Sequence, residues 1–132
     1  MRQFIVESLV SAVPSGSARA VGRVEANRIM SLAKAYIQDG ISAALILADI
    51  AEAARTSTRT LHRVFLDGTG LTPMAYVKRE RLNAVRRCLL GADPGEITVT
   101  QAARRHGFSH MGRFSVVYRE VFCESPSETL LH

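Results

Sequence analysis

The stretch that decides the fold is IAEAARTSTRTLHRVFLDGTGLTP, residues 50–73, because a second stretch, AARRHGFSHMGRFSVVYREVFCESP, residues 102–126, repeats its pattern. Ile50, Ala51 and Ser57 correspond to Ala102, Ala103 and Ser109. The second copy then carries one extra residue, after which Leu61, Val64, Phe65, Thr72 and Pro73 correspond to Phe114, Val117, Tyr118, Ser125 and Pro126. Each copy reads as a short helix ending in small residues, a tight turn, a second helix, and a new helix opened by Ser/Thr-Pro. A short helix, turn and second helix is the arrangement that can lay its second helix in the major groove of duplex DNA.

Outward from the repeat, the pattern is helical everywhere and no strand is indicated. Ile29, Leu32, Ala33, Tyr36 and Ile37 share one face of a first helix that Gly40 can end. Leu47, Ile50, Ala51 and Ala54 do the same in a second. Ser57 caps a third, with Leu61, Val64 and Phe65 inward and Gly68 and Gly70 closing it. Thr72-Pro73 starts a fourth that meets no breaker before Leu90. Thr98 and Gln101 form a capping box for a fifth, which stops at Gly107. A sixth turns Phe114, Val117, Tyr118 and Val121 inward, and Ser125-Pro126 with Glu128 opens a short seventh. The expected fold is all-α, about seven helices in two helix-turn-helix subdomains joined by a long central helix, a homeodomain-like arrangement. Residues 1–23 read as a linker or the tail of a separate sensor domain, and residues 24–132 as the tandem helix-turn-helix domain. Within the first segment, Phe4 to Val13 can form a short helix, and 13–23 is Ser/Gly/Ala-rich.

Composition narrows the partner. Lys and Arg outnumber Asp and Glu by 17 to 12, for a formal charge of +5, which suits a polyanion. Apolar residues make up 47% but aromatic residues only 6%, without Trp, so an aliphatic core is expected. Cys88 and Cys123 are too few for a disulfide framework and fit a reducing compartment. The start of the chain is a poor signal peptide and no run is long enough to span a bilayer, so the expected location is the cytoplasm. His106 and His110 are separated by the turn at Gly107 and have no third partner at a useful spacing, so no metal site is expected. No phosphate loop, carboxylate pair or nucleophile elbow occurs, and the chain reads as a non-enzyme without a cofactor.

Placement of the charge is more informative than its sum. Counting 100° per residue from Leu61 puts Arg59, His62 and Arg63 opposite the core, with Thr58 near the helix start. Arg59 and Arg63 are four apart and of like charge, which destabilises an isolated helix slightly and which an anionic partner would reverse. The matching positions of the second copy are Gly112, Ser115 and Val116, flanked by Arg113 and Arg119. Gly112 and Val116 cannot make the bidentate guanine contacts open to arginine. An asymmetric reader is expected, the first unit reading bases and the second positioning, on a non-palindromic site of about 15–20 base pairs. The fourth helix, at about 1.5 Å per residue, is a rod of roughly 28 Å, against about 34 Å between major grooves on one face of DNA. Its basic run, Lys78, Arg79, Arg81, Arg86 and Arg87, is placed to touch phosphates. Two other classes fit less well. A protein-interaction module needs an exposed apolar stripe, and a membrane-surface binder needs one helix with large apolar and basic faces.

With those residues in place, the sequence resembles the AraC/XylS family of bacterial transcription regulators over about residues 24–131. The resemblance rests on DIAEAARTSTRTLHRVF, GLTPMAYVKRERLNAVRRCLL, and TQAARRHGFSHMGRFSVVYREVF with ESPSE after it. It implies promoter binding, activation through RNA polymerase, and a separate sensing or dimerisation domain. This chain alone would then be a monomer, dimeric only through that further domain. Carried over by position, the DNA-binding set is Ser57, Thr58, Arg59, His62 and Arg63 in the first unit. In the second it is Met111, Gly112, Arg113, Ser115 and Val116. The sequence departs from the family pattern at Val116, where a basic residue is usual, at Cys123, where Gly is common, and at Thr129, where an aromatic is usual.

Overall fold

The computed structural model describes residues 14–131, with side chains from Gly22 onward; the short helix expected over Phe4 to Val13 lies outside them. Among the described residues there are seven helices: α1 Pro14–Asp39, α2 Leu47–Ala53, α3 Thr58–Thr69, α4 Pro73–Gly91, α5 Val99–Arg105, α6 Met111–Phe122 and α7 Pro126–Leu131. The element order is the one expected, with one difference at the start. The stretch read as a linker is helical from Pro14 on and runs without a break into the first helix, so the boundary at residue 24 is not a helix start.

Local chemistry fixes the ends. Ser57 accepts the Thr60 N–H and Thr72 accepts the Ala75 N–H, with Pro73 in the first turn where its missing N–H costs nothing. At α5 the capping box is complete, Thr98 Oγ1 accepting from Gln101 N and Gln101 Oε1 from Thr98 N. Gly70 closes α3 in the left-handed conformation at φ 76°, which its lack of a Cβ permits. At the equivalent end of α6 stands Cys123, at φ 61°. The departure from glycine noted in the sequence therefore falls on a backbone position that an L side chain occupies at a cost of about 1 kcal/mol.

Two cores form, one per unit. The first gathers Ile29, Ala33, Ile37, Ile50, Ala51, Leu61, Val64, Phe65 and Val77. Leu32, expected on the inward face of α1, is 37% exposed. At 100° per residue it sits well off the direction shared by Ile29, Ala33 and Ile37. The second core joins Leu82, Val85 and Leu89 of α4 to Ile97, Ala102, Ala103, Phe114 and Tyr118. Its buried residues are mostly aliphatic, as expected, with Phe114 and Tyr118 added. Phe108, Phe114, Tyr118 and Phe122 stack in sequence, with ring centroids 4.8, 5.7 and 4.6 Å apart. Such tilted pairs add to the area they bury. Helix α4 thus gives Val77 to one core and Leu82, Val85 and Leu89 to the other.

Candidate nucleic-acid interface

The turns ahead of α3 and α6 follow one backbone scheme. Thr56 N–H donates to Ala51 O and Phe108 N–H to Ala103 O, both at 3.0 Å. Arg55, at φ 57°, and Gly107, at φ 91°, hold the same left-handed position. Beyond it the copies differ by the extra residue. The residue preceding α6 is His110 rather than Ser109, and its side chain makes no capping bond. The insertion lies before the cap, not after it as a pairing of Ser57 with Ser109 requires. Ser57 corresponds in space to His110, so Arg59 matches Gly112, His62 matches Ser115, and Arg63 matches Val116.

In α3 the inward face is Leu61, Val64 and Phe65, and the opposite face is open. Thr58, Arg59, His62 and Arg63 are all exposed. They line one shallow groove together with Leu47, Leu66 and Asp67. Among the described residues no ion pair engages Arg59 or Arg63. Two guanidinium groups with free donor forks, a hydroxyl and an imidazole on one face can bind phosphate oxygens and the acceptor edge of guanine. Ser57, the cap residue just before α3, donates its hydroxyl to Thr60 Oγ1 at 3.1 Å.

The second set is less unified. Ser115 and Val116, the latter 58% exposed, share a groove with Val99, Arg119, Ser125 and Ser127. Arg113 lies on another side, in a depression with Lys78, Ser109 and His110. Gly112 is open to solvent, and a side-chain carbon placed there would touch nothing within 4 Å. Met111 is half-buried against the second core. The depression joining Lys78 of α4 to Arg113 of α6 pairs two exposed cations from different elements, a juxtaposition that no sequence spacing reports.

The basic run of α4 divides. Lys78, Arg79 and Arg87 are exposed. Arg86 instead pairs with Glu124 at 3.3 Å and lies 4.8 Å over the Phe122 ring. Arg81 donates to two backbone carbonyls, Ile41 O at 3.1 Å and Ala43 O at 2.5 Å. Neither of these two is a free phosphate contact, and a run of basic letters cannot reveal that. Arg28 is similarly committed, bonding Ala54 O at the end of α2 at 3.2 Å. No described helix is long and apolar enough to cross a membrane.

Two helix-turn-helix units sharing one long helix define a tandem helix-turn-helix protein, and comparison with known proteins agrees. Residues 50–131 match a family model described as a helix-turn-helix domain. The chain is 34% identical over 128 residues to the XylDLEGF operon transcriptional activator 2 of Pseudomonas putida, covering 97% of this chain and 81% of that protein. It is 39% identical over 102 residues to a probable thc operon regulatory protein of Rhodococcus erythropolis, covering 77% of this chain but 31% of the relative. Several other matched regulators are likewise covered over only about 30% of their length. Among solved structures, a probable AraC family transcriptional regulator from Rhodopseudomonas palustris superposes with a TM-score of 0.70 at 35% identity, covering 79% of this chain and 94% of that one. A transcriptional regulator with an AraC-type DNA-binding domain from Chromobacterium violaceum gives 0.72 at 29% identity, covering 77% and 88%. This chain belongs to the AraC/XylS family of DNA-binding transcription regulators.

Proposed function

We propose that the chain binds an asymmetric promoter site as a monomer, with α3 and α6 in successive major grooves, and activates transcription by contact with RNA polymerase. The observation that carries this reading is the outward face of α3, where Thr58, Arg59, His62 and Arg63 share one open groove and neither arginine has an acidic partner among the described residues. The names of the matched relatives, operon activators in Pseudomonas putida, support the sign of regulation. In this reading α3 supplies most base readout. Helix α6, with Gly112 and Val116 where α3 has Arg59 and Arg63, contributes positioning through Arg113, Ser115 and its helix start. Residues 24–132 act as the DNA-binding domain and residues 1–23 connect it to a sensing domain, the whole working in the cytoplasm.

Selection from a random duplex pool tests this directly. The expected winner is a non-palindromic site of about 15–20 base pairs, held well above scrambled duplex at two salt concentrations. Equal binding to every duplex, fading together as salt rises, would reduce the protein to a basic surface and reopen the protein-interaction reading.

A further inference from the structure

Arg81 stands near the middle of α4, between the part of that helix that serves the first core and the part that serves the second. Its guanidinium reaches into both units. Toward the first it donates from Nε to Ile41 O at 3.1 Å and from a terminal nitrogen to Ala43 O at 2.5 Å, both in the loop between α1 and α2. Toward the second it lies over the turn before α6, where a side-chain carbon placed on Gly107 would meet the guanidinium carbon at 3.5 Å. Gly107, at φ 91°, takes the left-handed turn and leaves that approach open. Elsewhere the units pack mainly on α4 and within themselves: α1, α2 and α3 around one end, α5, α6 and α7 around the other.

We propose that Arg81 is a clasp between the two units, a positioning residue that fixes the angle between the recognition helices and so the spacing at which two DNA elements are read. The spacing part rests on the two-groove reading above; the clasp itself does not. A planar fork suits the task because it bonds two carbonyls with some of its donors while its face covers a glycine turn. Lysine, a point donor, cannot hold both carbonyls and cover the turn. Partial burial also lowers the Arg81 pKa from its ordinary value, consistent with a guanidinium set partly between packed segments. A continuous helix constrains the two units but still bends, and the clasp removes that freedom where the units approach.

The test uses the 132-residue chain in three forms: wild type, Arg81→Met and Arg81→Lys. Residual dipolar couplings of the free proteins in a stretched neutral gel report the relative orientation of residues 24–72 and 98–131 without DNA. Wild type should fit one alignment tensor. Arg81→Met should need two, each unit still fitting well by itself, and Arg81→Lys should fall between. One unchanged tensor in Arg81→Met overturns the clasp. If Arg81→Met does not fold, Arg81→Lys decides, and its equivalence to wild type overturns the clasp. On the selected duplex, one base pair inserted between the elements should weaken wild type by about tenfold and Arg81→Met by about threefold or less, a helical turn being about 10 base pairs. Equal discrimination in the two overturns the spacing role. A uniform loss with a smaller salt slope identifies Arg81 as a phosphate contact instead. Should no duplex be selected, the two-groove reading fails while the couplings still decide the clasp.

Discussion

Tyr118 donates its hydroxyl to Thr129 Oγ1 at 2.7 Å, joining α6 to α7 inside the second core. Thr129 in turn donates to Glu124, which pairs with Arg86 of α4. Both Tyr118 and Thr129 are essentially buried, 0% and 1% exposed, so neither hydroxyl has water as an alternative. The departure from an aromatic at 129 is thus filled by a hydrogen-bonded chain that crosses three helices. Burial raises the Tyr118 pKa, and the phenol remains a donor.

Replacing Thr129 by Val keeps the shape and removes the link. Tyr118 loses its acceptor and Glu124 a donor, so a loss of about 1–3 kcal/mol is expected. Urea unfolding measures it. A change of only a few tenths would mean that the chain of bonds contributes little beyond packing.

Cys123→Gly should stabilise the protein. The left-handed backbone at φ 61° costs a non-glycine residue about 1 kcal/mol, and glycine's larger unfolded-state entropy returns part of that gain. The expected net is a rise of up to about 1 kcal/mol, read as a higher thermal midpoint. Cys123→Val, with a branched carbon in the same conformation, should lower the midpoint.

Glu128 gives the pH dependence. Its carboxylate accepts the Ser125 N–H at 2.7 Å while its own N–H donates to Ser125 Oγ at 3.1 Å. The backbone bond from Ser125 holds its pKa below the ordinary carboxylate value, with smaller help from the Ser125 hydroxyl and then from Arg119. A depressed folded-state pKa places the stabilisation above the unfolded value of about 4.3, and it disappears as pH falls through the folded one. Thermal unfolding from pH 6 down to pH 3 should therefore show a smaller decline in Glu128→Gln than in wild type. Parallel curves would refute the link.

On DNA, Arg59→Ala or Arg63→Ala should cost about 1–3 kcal/mol and relax preference at one or two base pairs. Val116→Ala should cost less. Titration of the three variants on the selected duplex orders them, and a larger effect at Val116 would reverse the proposed division of labour between α3 and α6.

Much of the fold is legible because the caps are written locally. Ser57, Thr72 and the Thr98–Gln101 box announce three helix starts, and the periodicity of Leu61, Val64 and Phe65 marks a buried face. The start of α6 is harder to read by one residue. Ser109 has the better capping chemistry, but His110 takes the position without a side-chain bond. The exposed set of α3, Thr58, Arg59, His62 and Arg63, follows from helical geometry alone. The roles of Arg81 and Arg86 do not, since each depends on a partner at least 38 positions away, Ala43 for one and Glu124 for the other.

Helix α4 has a consequence for how such a protein can be divided. Because Val77 closes one core and Leu82, Val85 and Leu89 wall the other, the repeat is not a pair of detachable modules. A cut or crossover within 73–91 leaves one half without a side of its interior. Substitution that leaves the framework intact is confined to exposed surface such as the outward faces of α3 and α6.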